Sequence, residues 1–460
     1  MKIRKIKIEN NLILWDNFEL DFTKDWKTLD TIILVWENGS WKSTILNIIY
    51  EFSEIKIIND LYDNEKRIFE IEFCNEEIKI INQFYWEVSN KIFTIEFNLS
   101  SSKWGWEQIK IFNKGNEKEI NKNIFIHKSE IKALFKSIFS DVSINFSPKE
   151  IKNSTWIDID SDVKISKKSN ENISTDIKQM LVDIRINDNE DDRKYFKENW
   201  KYKDEKLTQL RTKRFKNAFK LIFKDRNLEY YWVDLLTPIF KKDWHEINID
   251  KLSSWEKQIV FRWSYLLKDK ESIKWAIGLI DEPEISLHPL WQQKILDFYT
   301  NLFKDWNGNQ TSQLFISTHS PYVLQWYDLN YWGLFIFPSW KRIDNLRSYI
   351  WEKPSLWVVN YEAYNLATVE FHDELYWYIY DKIKSKNMIE IDIYLWEHWF
   401  QQNINRIQLN WKNYPVTLGT FIRNKLHHPE NTNMQSEYFS NEKLRESIDK
   451  MIDIINNNGL

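Results

Sequence analysis

Apolar and polar residues alternate in the first part of the chain with the spacing of β-strands. Residues 2–8 and 18–22 alternate in the manner of strands, with one polar pair at Arg4 and Lys5, whereas residues 31–35 form a continuous apolar run. Strict alternation predicts half-buried strands, and a short uninterrupted apolar run predicts a strand that is buried on both faces. Residues 42–53 then have the spacing of a helix. The chain is therefore predicted to begin with strands, a buried strand and a helix.

The pattern changes character several times further along. Short alternating stretches between residues 67 and 113 predict an antiparallel β layer. Residues 174–225 are charged, contain no Pro and have helical spacing, which predicts a helical lobe. Residues 276–280 and 314–317 are two more buried strands, and the spacing becomes helical again toward the C-terminus. The pattern predicts an α/β fold that is followed by a helical region.

The composition adds one anomaly to this pattern. The 460 residues include 25 Trp but only 8 Gly, whereas average usage predicts about 32 Gly in a chain of this length. Several Trp follow Asp or Asn between regular segments, namely Trp26, Trp200, Trp244, Trp306 and Trp411. Asp-Gly and Asn-Gly are strong turn signals, and a bulky side chain does not fit the positive φ of such turns.

We interpret many of the Trp as misread Gly. This would arise if the host decodes the UGA codon as Gly while a standard table translates it as Trp. The alternative is a protein that is truly rich in Trp. Trp291, which lies in an apolar helical pattern, is the one position that has the features of an authentic Trp.

The remaining composition is that of an ordinary globular protein. It is 43% hydrophobic and 29% charged with a net charge of -4, which excludes the disordered and collagen-like classes. A single cysteine, Cys74, excludes an internal disulfide framework and fits a reducing compartment. No apolar run reaches the 18 or more residues of a membrane span, so we expect a cytoplasmic protein.

A candidate phosphate-binding loop lies between the buried strand at 31–35 and the following helix. With Trp36 and Trp41 read as Gly, it becomes G-E-N-G-S-G-K-S-T and satisfies the pattern G-x-x-x-x-G-K-S/T. Gly allows successive backbone N–H groups to face the phosphates, and the helix N-terminus adds positive potential. The residues predicted to bind ATP here are Trp36, Asn38, Gly39, Ser40, Trp41, Lys42, Ser43 and Thr44. With literal Trp, two indoles would fill the loop and nucleotide binding is expected to fail.

Five residues near the ends of the three buried strands are predicted to act on ATP and Mg²⁺. Lys42 is predicted to reach the β- and γ-phosphates, and Ser43 to ligate Mg²⁺. Asp281, at the end of one strand, is predicted to order Mg²⁺, and Glu282 to polarise the attacking water. His319, just past the next strand, is predicted to sense the γ-phosphate.

A further segment precedes these strands. Ser253, Ser254, Trp255 and Glu256 become S-S-G-E when Trp255 is read as Gly. This resembles the signature motif of ABC-type ATPases, whose Ser and Gly contact the γ-phosphate held by the opposite protomer. A helix N-cap formed by Ser253 or Ser254, with Glu256 in the first turn, is compatible with the same residues.

The order of these motifs resembles the SMC-like and overcoming-lysogenization-defect (OLD-like) branch of ABC-type, AAA-family ATPases. The resemblance covers residues 1–345, with the helical lobe inserted at about 165–230. It implies a P-loop NTPase fold of ABC-ATPase type with an antiparallel β layer and a helical lobe, which uses ATP and Mg²⁺. It also implies a homodimer that sandwiches two nucleotides between its heads. Members of this branch act on DNA ends, in repair or in phage defence.

The C-terminal region, residues 346–460, contains a second motif. Arg423, Asn424 and His428 satisfy R-N-x-x-x-H, and this helical context resembles HEPN-type ribonucleases. The resemblance implies metal-free RNA cleavage, in which His428 is a general acid/base and Arg423 holds the scissile phosphate while the 2′-OH attacks. The alternative is a helix that simply ends at His428. The whole chain would then be a DNA-binding ATPase of the SMC or recombination-mediator kind with a non-catalytic C-terminal module.

Overall fold

The chain forms two compact units, described here from a computed structural model. One unit comprises residues 1–319 and 330–342, and the other comprises 320–329 and 343–460. The structure describes residues 1–11, 13–14, 17–35, 41–54, 65–85, 88, 90–98, 109–115, 119–140, 167–168, 173–203, 212–213, 216, 228–234, 236–253, 256–257, 260, 275–285, 287–304, 309–324, 332–336, 341–343, 355–398, 405–409, 412–429 and 438–458.

The first unit contains two large sheets and the helices that cover them. Its strands are β1 (Lys2–Glu9), β2 (Phe18–Asp21), β3 (Thr23–Lys24), β4 (Lys27–Thr28), β5 (Thr31–Val35), β6 (Lys66–Glu72), β7 (Ile92–Asn98), β8 (Ile109–Asn113), β9 (Ser137–Ser140), β10 (Lys167–Lys168), β11 (Leu228–Asp234), β12 (Thr237–Lys242), β13 (His245–Asn248), β14 (Ile277–Asp281), β15 (Gln313–Thr318), β16 (Trp332–Ile336) and β17 (Lys341–Ile343). Its helices are α1 (Trp41–Glu54), α2 (Asn75–Asn82), α3 (Lys122–His127), α4 (Ser129–Lys132), α5 (Ile173–Asn199), α6 (Pro289–Gln292) and α7 (Ile295–Leu302).

One sheet has the strand order β10-β9-β14-β15-β5-β16-β17. The pairs from β9 to β16 are all parallel. Every residue of β5, β14 and β15 is buried, as expected for parallel strands that are covered on both faces. Helix α1 packs against β9, β14 and β15. The buried strands predicted from continuous apolar runs therefore lie at the centre of this sheet.

The second sheet is antiparallel and has the order β2-β1-β6-β7-β8. Its inward side chains share one hydrophobic core with α1 and the parallel sheet. Phe22 packs edge-on against Phe315 and Phe335, with ring centroids 5.1 and 5.4 Å away. Gln313 connects the two layers, because its buried amide bonds the backbone of Ile3 and of Leu29. The predicted α/β class with an antiparallel β layer is confirmed, and α5 supplies the helical lobe.

The second unit is mainly helical. It contains α8 (Pro321–Leu324), α9 (Leu356–Tyr364), α10 (Val369–Lys382), α11 (Met388–Glu397), α12 (Leu418–His427) and α13 (Asn441–Asn458), with strands β18 (Asn405–Leu409) and β19 (Lys412–Val416). Helices α10, α12 and α13 pack against one another around a core that includes Leu375, Ile422 and Ile448. The helical C-terminal region is confirmed.

The β18–β19 hairpin is a difference from the prediction of a wholly helical C-terminal region. Its strands pair antiparallel from Asn405 with Val416 to Leu409 with Lys412. Each strand has only five residues, which is too short for alternation to be told apart from helical spacing. The assignment of residues 1–345 to an ATPase head and 346–460 to a HEPN-like region stays a prediction. Within the part of the chain that the structure describes, no helix is long and apolar enough to cross a membrane.

The backbone supports the interpretation of several Trp as Gly. Trp26 and Trp244 are the second residues of two-residue turns that join β3 to β4 and β12 to β13, and their φ angles are 66° and 72°. The preceding Asp25 and Asp243 also have positive φ, so both turns have the double positive φ of type I′ turns, which Asn-Gly and Asp-Gly favour. The two Trp side chains are 92% and 87% exposed and pack into no core.

Two more Trp occupy the same backbone region. Trp200 follows the last residue of α5 with a φ of 51°, and its N–H donates to the carbonyl of Phe196. This is the left-handed helix end at which Gly is most frequent. Trp275, with a φ of 66°, precedes β14. Trp306 and Trp411 lie outside the described residues.

We predict that Trp26→Gly and Trp244→Gly each stabilise the first unit. Relief of a left-handed backbone at a residue with a Cβ atom is expected to raise the free energy of unfolding by about 1 kcal/mol. Urea denaturation of each single variant measures the change.

The matched control is Trp291→Gly. Trp291 lies in α6 and its ring contacts the Lys294 ammonium, so Gly is expected to cost about 1 kcal/mol there. A loss of stability at residues 26 and 244 similar to the loss at residue 291 would contradict the interpretation.

Candidate functional site

The carboxyl ends of three parallel strands meet at one edge of the large sheet. β15 lies between β14 and β5, and Asp281, at the end of β14, pairs with Ser317 of β15. Helix α1 begins at Trp41, six residues after the end of β5, and has no acidic residue in its first turn. The positive potential of this helix N-terminus is therefore not neutralised by a carboxylate of the same turn.

Asp281 is held from two sides by hydroxyl groups. The Ser43 Oγ donates to Asp281 Oδ2 over 2.8 Å. The Ser317 Oγ donates to the other carboxylate oxygen, Oδ1. A carboxylate and a hydroxyl are the oxygen ligands that Mg²⁺ accepts together with phosphate and water, so Ser43 and Asp281 fit a magnesium ion. No cluster of three or more His, Cys, Asp or Glu with ligand geometry occurs among the described residues.

Lys42 is buried, with 2% of its surface exposed. Its Nζ lies 2.5 Å from the Nε2 of His319 and donates to the carbonyl of Thr318 over 3.5 Å. Burial lowers the pKa of Lys42 to about 8, although the nearby Glu282 and other carboxylates act in the opposite direction. The ammonium is thus held in a poorly hydrated position, where an anionic ligand would stabilise its charge.

Glu282 follows the end of β14 with a φ of 44°. Its backbone N–H donates to the carbonyl of Ser317 over 3.1 Å, and its Oε1 lies 2.8 Å from the Nε2 of His319. One imidazole nitrogen therefore faces both Lys42 and Glu282. A single ring nitrogen either accepts from the ammonium or donates to the carboxylate, so the His319 contact can exchange between these two partners.

The signature-like segment begins a helical turn. The backbone N–H and the Oγ of Ser253 both donate to Glu256 Oε2, over 2.8 and 2.6 Å, and Lys257 N–H donates to the Ser253 carbonyl. Burial raises the pKa of Glu256, but the bonds from Lys242 and Ser253 outweigh it and leave the pKa below its ordinary value. The bond from the Ser253 N–H to the Glu256 carboxylate is one half of a capping box, and the signature role of this segment stays a prediction.

The structure brings together Lys42, Ser43, Asp281, Glu282 and His319. Thr44 follows in the first turn of α1. Trp36, Asn38, Gly39, Ser40, Ser254 and Trp255 lie outside the described residues, and Trp41 is described only through its backbone.

Sequence reasoning missed Ser317, which bonds Asp281, and Glu284, which bonds the segment carrying His319. The sequence signal was present, since each lies two residues from a predicted site residue, Ser317 from His319 and Glu284 from Glu282.

A second cluster lies on α10 and α12 in the C-terminal unit. The guanidinium carbon of the buried Arg423 lies 5.3 Å from the Trp377 ring centroid. The centroid of the His427 ring lies 6.3 Å from the same Trp377 centroid. His427 Nε2 is 2.8 Å from Asp373 Oδ1. Arg423 and His427 are four residues apart and therefore share a helix face. The structure thus places His427 beside Arg423 on this face.

His428 caps the end of α12, where its N–H donates to the Asn424 carbonyl. The role of His428 as general acid/base stays a prediction.

Comparisons with known proteins bear on the first unit. Residues 97–325 match a family described as "AAA domain, putative AbiEii toxin, Type IV TA system". A search of curated proteins found no match. Among solved structures, the SMC head domain from Thermotoga maritima is 12% identical, with a TM-score of 0.38, and the match covers 73% of this chain and 94% of that chain. The SmcHead bound to the C-winged helix domain of ScpA has the same identity and coverage and a TM-score of 0.42.

The family match includes Asp281, Glu282 and His319. Similarity to an AAA-family ATPase domain is thereby confirmed for this region. The HEPN-like resemblance of the C-terminal region stays a prediction.

We predict that nucleotide affinity depends on pH through Lys42. The test uses the glycine form of the chain, in which Trp36→Gly, Trp41→Gly and Trp255→Gly are combined. The lowered pKa leaves Lys42 neutral in the free protein above pH 8 or so, whereas bound phosphates would favour its charged form. The Kd for ATP should therefore be constant near pH 7 and rise by up to about tenfold per pH unit above the free-protein pKa.

Fluorescence titration with labelled ATP between pH 7 and 9.5 measures this dependence. In Lys42→Arg the guanidinium stays charged throughout, so any residual affinity should not change over this range. An equally steep rise in the Arg variant would contradict the assignment to Lys42.

Proposed function

We propose that this protein is a cytoplasmic ABC-type ATPase that binds and hydrolyses ATP with Mg²⁺ and controls a C-terminal ribonuclease. The observation that carries the ATPase part is that Lys42 and Ser43, at the start of α1, meet His319 and Asp281, which lie at the ends of two neighbouring parallel strands. Each side chain has a role that phosphoryl transfer requires: a buried cation, a metal-binding carboxylate and a polar group beside a second acid.

In this proposal the residues of α1 and of the strand ends bind the phosphates, hold Mg²⁺ and orient the attacking water. Lys42 and the first N–H groups of α1 bind the β- and γ-phosphates. Ser43 and Asp281 would hold Mg²⁺, which would neutralise phosphate charge. Glu282 accepts a hydrogen bond from the attacking water and orients its oxygen toward the γ-phosphorus. As the new bond to water forms, a water proton passes to a phosphate oxygen, the bond from phosphorus to the bridging oxygen breaks, and ADP and phosphate leave.

His319 would contact the γ-phosphate by exchanging its present partners. Its Nε2 now lies beside Lys42 and Glu282, which are the groups that would face opposite sides of the transferred phosphoryl. Ser253 and Glu256 begin a helical turn, and in an ATP-bound homodimer this turn would face the nucleotide of the opposite protomer. ATP would then hold two heads together, and hydrolysis would release them.

The C-terminal part of the proposal is metal-independent RNA cleavage, with a role in phage defence. Arg423 would hold the scissile phosphate, and His428 would act as general acid/base. The observation that favours a site on this face is the Asp373–His427 pair next to Arg423, since a carboxylate fixes the orientation and tautomer of an imidazole. The 2′-OH would attack phosphorus and the 5′-oxygen would leave, so DNA would be spared.

We predict that Glu282→Gln in the glycine form retains ATP binding but loses hydrolysis by about 100-fold or more, because an amide cannot polarise the water as a carboxylate does. Phosphate release measures the rate, and light scattering with ATP measures the dimer, which should persist in this variant. Glu246→Gln, at an exposed position of β13, is the matched control and should resemble the parent. Unchanged hydrolysis in Glu282→Gln would remove Glu282 from the mechanism.

We also predict that Arg423→Ala and His428→Ala abolish RNA cleavage measured in EDTA, while ATP hydrolysis stays at the parent rate. Lys443→Ala, at an exposed position of α13, is the control for lost positive charge. RNA cleavage should persist in His427→Ala if His428 is the general acid/base, and it should be lost if His427 is. Stable ATP-dependent DNA binding without cleavage of RNA by any of these proteins would instead support the DNA-binding ATPase of the SMC or recombination-mediator kind.

A further inference from the structure

We infer that Glu284 is a positioning residue for ATP hydrolysis and that it acts through His319. The inference rests on the proposed ATPase function and assigns a role to a carboxylate that neither binds Mg²⁺ nor faces the water in that proposal. Glu284 lies two residues after Glu282, in the segment that follows β14.

Glu284 joins two strand ends beyond the point where the sheet stops. The last ladder pair between β14 and β15 is Asp281 with Ser317. Past this pair, Glu284 Oε1 accepts the Thr318 hydroxyl over 2.8 Å and the backbone N–H of His319 over 2.7 Å. One carboxylate oxygen therefore continues the connection between the two strands after the backbone ladder has ended.

This connection fixes the backbone of the residue that completes the site. The backbone N–H of His319 donates to Glu284, and its Nε2 lies between Lys42 and Glu282. The direction in which an imidazole points depends on the position of its own backbone. A displacement of the His319 backbone would carry Nε2 away from the place where a γ-phosphate would lie, and losses of catalysis from shifts of about 1 Å can reach 100-fold.

The burial of Glu284 indicates that this carboxylate has a role other than stabilising the fold. Its side chain is 8% exposed, and Oε2 has no hydrogen-bond partner among the described residues. Burial raises its pKa, which the bonds from His319 and Thr318 oppose. An unpaired buried oxygen is unfavourable for folding, whereas an acceptor aimed at the His319 N–H has a reason to be present. The acceptor is Oε1, which an amide oxygen can replace.

Steady-state ATP hydrolysis in the glycine form provides the first test. Glu284→Ala should lower kcat by about 10- to 100-fold, with KM for ATP changed less than about threefold, because Lys42 and the first N–H groups of α1, which bind most of the triphosphate in the proposal, are untouched. Glu284→Gln keeps an oxygen acceptor and should stay within about threefold of the parent kcat. A Gln variant as slow as the Ala variant would overturn the role as a hydrogen-bond acceptor.

A double-mutant cycle separates positioning from general damage to the fold. If Glu284 acts through His319, Glu284→Ala should cause no further loss of kcat when His319→Ala is already present. A structural defect would lower kcat by the same factor in both backgrounds, and that result would overturn the inference.

Thr318→Val provides a second variant in case Glu284→Ala does not fold. It removes one of the two donors to Glu284 and retains a β-branched side chain in the strand, so a smaller fall in kcat is expected. If Glu284→Ala does not fold, a parent-like kcat in Thr318→Val would by itself overturn the inference. Failure of the proposed function gives a different result, because the glycine form would then hydrolyse no ATP before any change at Glu284.

Discussion

The carboxylate of Asp281 is the interaction on which the candidate site depends. It accepts the hydroxyl of Ser43 from α1 on one oxygen and the hydroxyl of Ser317 from β15 on the other. A helix and two strands are thereby fixed at one point, at the edge where parallel strands end. The two strands are neighbours in the parallel sheet and α1 packs against both of them, so the position of the carboxylate is set by the core and not by a surface loop.

The residues around Asp281 form a continuous polar network. Glu284 holds the backbone of His319, and His319 lies between Lys42 and Glu282. Lys42, Asp281 and Glu284 are buried, where an unsatisfied polar group is costly, whereas Glu282 and His319 are partly exposed. The arrangement suits a site in which a ligand phosphate replaces one contact and leaves the others in place.

A second constraint comes from the backbone. Trp26, Trp200, Trp244 and Trp275 have the positive φ that residues with a Cβ atom rarely adopt. The first three of these positions also follow Asp or Asn in the sequence. Residue order and backbone torsion thus favour Gly independently of each other. Reading Trp as Gly also gives a complete phosphate-binding loop before α1. The same substitution therefore accounts for both the turn geometry and the loop sequence.

The sequence by itself predicted the buried strands and the antiparallel layer, and it singled out five residues that the structure brings together: Lys42, Ser43, Asp281, Glu282 and His319. It could do so because continuous and alternating apolar patterns report burial directly, and because the motif residues lie at the ends of those patterns. It did not reveal the β18–β19 hairpin, whose strands are too short for a distinct period.

Only the tertiary structure decided which side chains meet. The order of β14, β15 and β5 in the sheet brings together residues more than 230 positions apart, such as Ser43 and Asp281. Helix packing likewise placed His427 against Asp373 from another helix. Spacing along a chain specifies the neighbours within one element, whereas contacts between elements follow from how their apolar faces are buried together.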